Sequence, residues 1–198
     1  FCKNLKQNSK ITFFCTGILA QKYPDIIRQI SKDGHEIACH YYFHDLVYQD
    51  QPNIFEKNLY KAKEFLQQSS GQEVYGFRAP IFSIKKENIE HYKILSKIFK
   101  YDSSFICNSI NQLNSFKDNN PEIKNFSILP IPCYKIFGGL YTIRTGGTSL
   151  KFFSHKLIIN ALEKARLNGI NPILYLHPYE FMSDRSFYVK YSEMVNLS

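Results

Sequence analysis

The sequence lacks several features that would assign it to a specialised class of protein. Its 198 residues contain no tryptophan and no CxxC pair, and five irregularly spaced cysteines do not suggest a disulfide framework. No apolar run approaches the roughly 18 to 20 residues of a bilayer-spanning helix. The opening FCKNLKQNSK has neither an initiating methionine nor an apolar signal segment. We therefore expect one globular domain over residues 1–198 that begins inside a longer protein or has lost an upstream segment.

The sequence also lacks a concentrated patch of charge. The formal net charge is +8 and the pI is near 9.1, but the lysines are scattered and form no basic stripe, so we expect no nucleic-acid partner. Cys15 and Cys39 lie in apolar, strand-like runs, which predicts buried free thiols and favours a reducing compartment, the cytoplasm. An upstream targeting segment stays compatible with this sequence.

What is present is an alternation of short apolar runs and longer segments of helical period. Residues 11–15, ITFFC, are strand-like, and the stretch after Gly17 puts three isoleucines on one predicted helical face: Ile26, Ile27 and Ile30. The most regular helical segment opens at Pro52, and its apolar residues recur at spacings of four, three and four: Phe55, Leu59, Ala62 and Leu66. A further helix is predicted after the N-cap Ser154. Strand alternating with helix predicts an α/β fold with a parallel sheet or barrel.

Three unusual polar residues come at the carboxyl ends of predicted strands. EIACH ends at His40, VYGFR ends at Arg78, and the run PILYLH ends at His177. In α/β barrels this end of the strands carries the chemistry. These three residues are therefore candidates for one site.

The segment HYYFH places His40 and His44 four residues apart. On one helical turn, or across a tight loop, both imidazoles could reach one metal ion, although six histidines can also produce this spacing by chance. A catalytic metal site usually has three protein ligands and an open position. Asp45 is adjacent to His44, but neighbouring side chains point apart, so we expect the third ligand to come from elsewhere.

Arg78 and His177 each have a structural alternative. Arg78, in FRAPIF, could simply pair with a surface carboxylate. His177, in ILYLHPYE, suits a general acid or base, and a satisfied structural histidine explains the same pattern.

In their order and spacing these motifs resemble the NodB-homology polysaccharide deacetylases, carbohydrate esterase family four. The stretch TFFCTGILAQKYPDIIRQISKDGHEIACHYYFHDLVY is similar to the family's second barrel strand through its HxxxH metal motif. FRAPIFS resembles the Arg-x-Pro motif, and LYLHPYE resembles the motif with the catalytic histidine. HDLVY, YDSSF and HPYE are most similar to a subgroup associated with bacterial exopolysaccharide and surface-glycan gene clusters. The resemblance implies a distorted (β/α) barrel, here lacking its N-terminal strand.

The resemblance also implies an activity, the removal of N-acetyl groups from an N-acetylated glycan or its precursor. His40 and His44 would hold a divalent metal, most plausibly zinc. An aspartate would accept a proton from water, with Arg78 orienting and tuning it. The backbone N–H of Ile81 would face the oxyanion, and His177 would protonate the departing amine.

Three features depart from the family's pattern. The first motif, which supplies the acidic base and the third metal ligand, has no counterpart before ITFFC, so we expect this chain alone to be a poor catalyst. Tyr175 stands where the family commonly has a leucine that lines the acetyl-methyl pocket. Asp102, in YDSS, is the nearest match to a motif that usually combines aspartate with tryptophan.

Two other functions remain open on the sequence. Some relatives hydrolyse cyclic amides such as allantoin, which would keep the barrel and the metal but change the substrate. A relative that binds carbohydrate without catalysis would keep the barrel and lose the acidic motif. The sequence leaves the sugar, its linkage and the oligomeric state undetermined.

Overall fold

Parallel strands connected by helices make up most of the fold. The computed structural model describes residues 9–147 and 149–181. In these residues the strands are β1 (Thr12–Cys15), β2 (Glu36–Cys39), β3 (Gly76–Phe77), β4 (Tyr101–Asp102), β5 (Ile106–Cys107), β6 (Ser127–Ile128), β7 (Ile131–Ile136) and β8 (Tyr141–Arg144). The α/β class predicted from the alternating pattern is confirmed.

The larger sheet has five parallel strands in the order β1-β2-β3-β4-β6. Its register is continuous, because Cys15 pairs with Cys39, Cys39 with Phe77, and Phe77 with Asp102. The last residues of four strands are therefore level with one another. The loops that follow them meet at the carboxyl edge of the sheet, where ligands bind in open α/β sheets.

A smaller sheet continues the fold beyond Asp102. In it β5 pairs with β7 in parallel, and β7 pairs with β8 as an antiparallel hairpin. The strand predicted over residues 172–177 is wrong as a regular element, because it contributes one parallel bridge, between Gly146 and Tyr175. A side chain at Gly146 would not fit there, since an added Cβ would lie 2.0 Å from the Tyr175 carbonyl oxygen. The segment that leads to His177 is thus held by a close backbone contact.

The helices lie between the strands in the chain. Those in the described residues are α1 (Gly17–Lys22), α2 (Pro24–Lys32), α3 (Pro52–Ser70), α4 (Ile89–Ile98), α5 (Ile110–Asp118), α6 (Ser149–Phe152) and α7 (His155–Leu167). Short 3-10 turns also occur, at Val47–Gln49, Pro80–Phe82, Pro121–Ile123, Phe137–Gly139 and Pro178–Phe181. None of the described helices is both long enough and apolar enough to cross a membrane.

Helix α3 supplies much of the core, as its sequence period predicts. The four predicted apolar positions are all fully buried: Phe55, Leu59, Ala62 and Leu66. Burying a large apolar side chain stabilises the fold by about 1.5 to 3 kcal/mol. The helix ends at Gly71, whose left-handed φ of 67° makes it a favourable C-cap. Period and capping residues therefore agree with the tertiary structure.

The prediction for the stretch after Gly17 is partly wrong. The chain forms two helices there, because Pro24 begins α2 after the break at Tyr23. Ile27 is fully buried, but Ile26 is 51% exposed and does not belong to the core face. At the far end of the described chain the Ser154 hydroxyl accepts the Leu157 amide, which confirms the predicted cap of α7.

The buried free thiols predicted from the apolar runs are confirmed. Cys15 and Cys39 are buried and unbridged, and the same holds for Cys107. Burial raises the pKa of Cys15 and of Cys39 to about 12, so both remain neutral thiols at physiological pH. They behave as small core side chains and not as nucleophiles.

Candidate functional site

A tight loop, and not a helical turn, brings the two histidines of HYYFH together. Tyr41 and His44 have positive φ angles of 65° and 79°, which reverse the backbone twice within five residues. The first amides of α1 hold this shape, since Gly17 donates to the Tyr41 carbonyl at 2.9 Å and Ile18 to the Tyr42 carbonyl at 3.0 Å. An added Cβ at Gly17 would lie 2.6 Å from the Tyr42 ring, so only glycine allows this close approach.

The side chain of Tyr41 anchors the same loop from below. Its ring is fully buried, its hydroxyl donates to the Asp50 carboxylate, and it accepts from the Asn58 amide at 3.0 Å. Burial raises the pKa of Tyr41, which keeps the hydroxyl protonated as a donor. These contacts compensate for the cost of the left-handed backbone, about 1 to 3 kcal/mol per strained residue.

His40 is oriented by the backbone of the neighbouring strand. Its Nδ1 lies 2.6 Å from the Arg78 carbonyl oxygen, and a carbonyl can only accept, so Nδ1 carries the proton and Nε2 keeps its lone pair. Burial lowers the pKa of His40 to about 4, with the charges of His44 and Arg78 adding to the effect. The His40 and His44 ring centroids are 5.0 Å apart and nearly perpendicular. The result is a pair of neutral imidazoles in one place.

Arg78 reaches across the next strand instead of pairing with a surface carboxylate. Its guanidinium donates to the Ser103 carbonyl at 3.1 Å and to the Ser103 hydroxyl at 2.9 Å. It also stacks 4.0 Å from the centre of the Phe14 ring. Burial lowers the pKa of Arg78 to about 10, opposed by the charge of Asp102, and the group remains cationic at neutral pH. Arg78 is a fixed positive charge beside His40.

Asp102 lies behind the site and supports its backbone. It is fully buried, and its carboxylate accepts the Ser104 amide at 2.9 Å and the Ser104 hydroxyl at 2.5 Å. The same hydroxyl accepts the Ala79 amide at 2.8 Å. Burial raises the pKa of Asp102 to about 6, against the opposing hydrogen bonds from Ser104 and the charge of Arg78. Asp102 therefore fixes the loop after Arg78 through Ser104.

The loop after Arg78 places Ile81 at the carboxyl edge of the large sheet, on the side of His40 and His44. Ile81 and Phe82 have positive φ angles of 54° and 56°. A positive φ is uncommon for any residue other than glycine, and it is rarest for a β-branched residue such as Ile81. The Ile81 side chain is 66% exposed, so burial of its own side chain does not explain the strain. The turn is closed by the Phe82 amide, which donates to the Ala79 carbonyl at 3.0 Å. Strain of this kind is typical of functional loops.

His177 follows the segment bridged to Gly146 and lies close enough to His40 and His44 for its charge to act on both, at what we call the cleft. Its ring stacks on Tyr179 with centroids 5.0 Å apart, and its Nδ1 lies 3.4 Å from the Glu180 carboxylate. The charge of His177 contributes to the lowered pKa values of His40 and His44, where burial is the largest cause. The Tyr175 ring is 6.0 Å from His177. Glu180 is thus a site residue to which the sequence analysis assigned no role, although HPYE places it three residues after His177.

The structure brings most of the predicted residues to one edge, with Asp102 behind it. His40, His44 and Arg78 come from the loops of the large sheet, and His177 and Tyr175 come from the bridged segment. Within residues 9–147 and 149–181, no group of three histidine, cysteine, aspartate or glutamate side chains is placed to hold a metal ion. In the described residues the imidazoles of His40 and His44 lie together, and no third ligand group completes a metal site with them.

Comparison with known proteins supports the family resemblance over the first half of the chain. Residues 4–96 match the family model described as polysaccharide deacetylase. A peptidoglycan-N-acetylglucosamine deacetylase of Bacillus cereus is 31% identical over 87 residues, which cover 43% of this chain and 32% of the relative. A peptidoglycan deacetylase-like protein of Gibberella zeae is 32% identical over 95 residues, which cover 48% of this chain and 28% of the relative. The matches thus span about a third of the curated relatives' length.

A solved structure extends the similarity beyond the matched segment. A protein from Mycobacterium smegmatis, provisionally assigned as a polysaccharide deacetylase, is 25% identical with a TM-score of 0.51, over 85% of this chain and 58% of that one. The family model includes His40, His44, Arg78 and Ile81 and ends before His177. The predicted resemblance to the NodB-homology polysaccharide deacetylases, carbohydrate esterase family four, is thus confirmed in sequence over residues 4–96 and in fold over most of the chain.

Proposed function

We propose that this protein removes N-acetyl groups from an N-acetylated glycan with the help of a divalent cation, zinc in the first instance. The observation that carries the proposal is the convergence of His40, His44 and His177 at the carboxyl edge of a parallel sheet, beside the cation of Arg78. Deacetylation needs an activated water, a stabilised oxyanion and a proton for the departing amine. Each need has a candidate group in this cleft.

The two imidazoles fit the requirements of metal ligands. A ligating histidine usually donates its second ring N–H to a carbonyl or carboxylate, as His40 does to Arg78. The lowered pKa of both rings keeps them unprotonated, as a metal requires. A divalent cation held by His40 and His44 would supply Lewis-acid polarisation of the amide carbonyl and activation of a water. We expect the third ligand and the acidic base from outside the described residues.

His177 is proposed as the general acid. An amine leaves poorly without a proton, and an imidazole is well suited to deliver one near neutral pH. Glu180, whose side chain is only 7% exposed, lies against Nδ1 and would favour the tautomer with Nδ1 protonated. To act as the acid the ring must carry a proton on both nitrogens; Glu180 would accept the hydrogen bond from Nδ1–H, and Nε2–H would give its proton to the departing amine. Glu180 acts through His177 and is a positioning residue.

The remaining predicted residues shape the cleft. The reversed backbone at Ile81 supports its proposed role as the donor to the oxyanion, since such donors work when they are fixed in advance. Tyr175 would limit the space for the acetyl methyl group. Arg78 would tune the acidic base electrostatically, and Asp102 would hold the Arg78 loop without touching the substrate.

The similarity of HDLVY, YDSSF and HPYE to the surface-glycan subgroup supports a bacterial exopolysaccharide or its precursor as the substrate. The free thiols Cys15, Cys39 and Cys107 support action in a reducing compartment, the cytoplasm. A cyclic amide as substrate, or carbohydrate binding without hydrolysis, are the outcomes that would replace this proposal.

The test uses the longest natural polypeptide that carries this sequence. Zinc content would be measured by mass spectrometry, and released acetate would be measured with N-acetylated oligosaccharides and with allantoin. We expect about one zinc per chain, lost in the double variant His40→Ala, His44→Ala and kept in the control His155→Ala, an exposed histidine outside the cleft. Unchanged zinc in the double variant would overturn the ligand assignment.

The acid is tested in the same assay. His177→Ala should retain zinc and the native circular dichroism spectrum while its turnover falls roughly 10²- to 10⁴-fold. Near-normal acetate release by a folded His177→Ala enzyme would remove His177 from the mechanism. Acetate release from no N-acetylated sugar by the zinc-loaded wild type would overturn the proposed function.

A further inference from the structure

A second cavity lies beside the proposed catalytic cleft. It has a volume of about 360 Å³ and is lined by the hairpin, by α6 and by the bridged segment, with these residues at its surface: Tyr141, Thr142, Arg144, Ser149, Phe152 and Tyr175. Pockets for small molecules span about 300 to 1,000 Å³. Tyr175 belongs to both places, because its ring lines this cavity and lies 6.0 Å from the His177 ring. A molecule in the cavity would therefore be next to one in the cleft.

The lining combines aromatic rings with a cation. Phe152 is 78% exposed and Tyr141 is 52% exposed, so both rings contribute apolar surface at the cavity. Arg144 is near the Phe82 ring, at 5.7 Å, and it hydrogen-bonds to Tyr175. No carboxylate lines the cavity, and none in the described part of the chain forms an ion pair with Arg144. The guanidinium keeps donors for an anion.

The register of the hairpin adds positive charge on the same face. Arg144 pairs with Cys133, and Thr142 pairs with Lys135, so all four point to one side of the two strands. Burial raises the pKa of the Cys133 thiol, and the charges of Arg144 and Lys135 both oppose that effect, as this register implies. The exposed Lys135 therefore adds positive charge on the side of the hairpin that carries Arg144.

We propose that this cavity binds an anionic sugar unit of the glycan, next to the unit that is deacetylated. Aromatic faces suit the apolar side of a sugar ring, and the arginine fork suits a carboxylate or a phosphate on that ring. The inference rests on the proposed function and refines it. It assigns Arg144 as a specificity residue, which selects glycans in which a negatively charged unit adjoins the N-acetylated one.

Binding and hydrolysis would be measured separately. Isothermal titration would compare three disaccharides that share one N-acetylated unit and differ in its neighbour: a uronic acid, a sugar phosphate or a neutral hexose. We expect the anionic ligands to bind at least about tenfold more tightly than the neutral one. The uronate and phosphate arms identify which anion is preferred. Equal affinity for all three would overturn the inference.

Arg144→Gln should abolish the preference while leaving the affinity for the neutral ligand within about twofold. The matched control is Arg28→Gln, an exposed arginine on α2 that pairs with Asp25 and should change nothing. If Arg144→Gln fails to fold, Lys135→Gln at an exposed position should still reduce the preference severalfold. A preference that survives in both variants would also overturn the inference.

Acetate release separates the two proposals. Hydrolysis of neutral and anionic substrates with equal kcat/KM would leave the proposed function standing and refute the subsite. Anionic preference in binding, with no acetate from any of the three ligands, would support the subsite and refute the deacetylase.

Discussion

The buried carboxylate of Asp102 should make the stability of the protein fall as pH rises from about 4 to 6. Burial raises its pKa from 3.8 to about 6 in the folded protein, whereas the unfolded chain exposes the group to water. Between these values the folded state binds more protons than the unfolded state, so raising the pH favours unfolding. The stabilising contribution is full below pH 4 and is lost once the pH exceeds about 6.

The size of the effect follows from the two pKa values. A tenfold change in proton affinity corresponds to about 1.4 kcal/mol, so the interval from 3.8 to about 6 amounts to about 3 kcal/mol. The group is fully buried, and solvent screening does not reduce this figure. Asp102→Asn removes the titration and leaves a side chain of the same shape. If the asparagine amide does not match both hydrogen bonds from Ser104, the resulting loss would shift the free energy of unfolding by the same amount at every pH.

The measurement is urea unfolding followed by far-ultraviolet circular dichroism at pH 4, 5, 6 and 7. The free energy of unfolding of the wild type minus that of Asp102→Asn should decrease by about 2 kcal/mol across this range, because the unfolded carboxyl is already partly ionised at pH 4. Ser69→Ala is the control, because Ser69 is also buried and hydrogen-bonded, to the Ala20 carbonyl, but does not titrate. Parallel curves for wild type and Asp102→Asn would refute the argument that burial governs this carboxylate.

Three further predictions concern the site and the core. Glu180→Gln should lower kcat roughly tenfold with little change in KM, and should have no further effect in a His177→Ala background; additive losses would show that Glu180 does not act through His177. Ser104→Ala should lower the free energy of unfolding by about 1 to 3 kcal/mol, because the buried Ala79 amide would lose the hydroxyl that accepts its hydrogen bond. An unchanged free energy of unfolding would contradict the proposed role of Ser104 in fixing the loop after Arg78. Leu59→Ala should cost about 2 to 5 kcal/mol, against less than about 0.5 kcal/mol for the exposed Tyr60→Ala, both measured by urea unfolding; similar losses would contradict the assigned core face of α3.

The periodic parts of the fold could be predicted because their patterns are local. Phe55 and Leu59 recur at the helical spacing and are buried as expected, and Ser154 caps its helix. The predictions failed where contacts between residues distant in sequence determine the local structure. The run before His177 is as apolar as a strand, but a strand needs a neighbour along its length, and Gly146 offers a single bridge.

The sequence predicted that His40 and His44 lie together, but not the geometry of the loop that joins them. Spacing indicated that His40 and His44 lie together, but the tight loop depends on the positive φ of Tyr41, which contacts distant in sequence hold in place. The burial of Asp102 also depends on the packing of the whole sheet. Glu180 could have been found from its position three residues after His177, a spacing that joins side chains across one turn.

The contact at Gly146 makes the position of His177, the proposed general acid, depend on a residue with no side chain. A methyl group on the Cα of Gly146 would push the Tyr175 carbonyl away, because the added Cβ would lie 2.0 Å from the carbonyl oxygen. The displaced segment would carry His177 with it, while the imidazoles of His40 and His44, attached to the other sheet, would stay in place. Under the proposed mechanism, drift at this one glycine would remove the general acid and leave the pair of imidazoles in place.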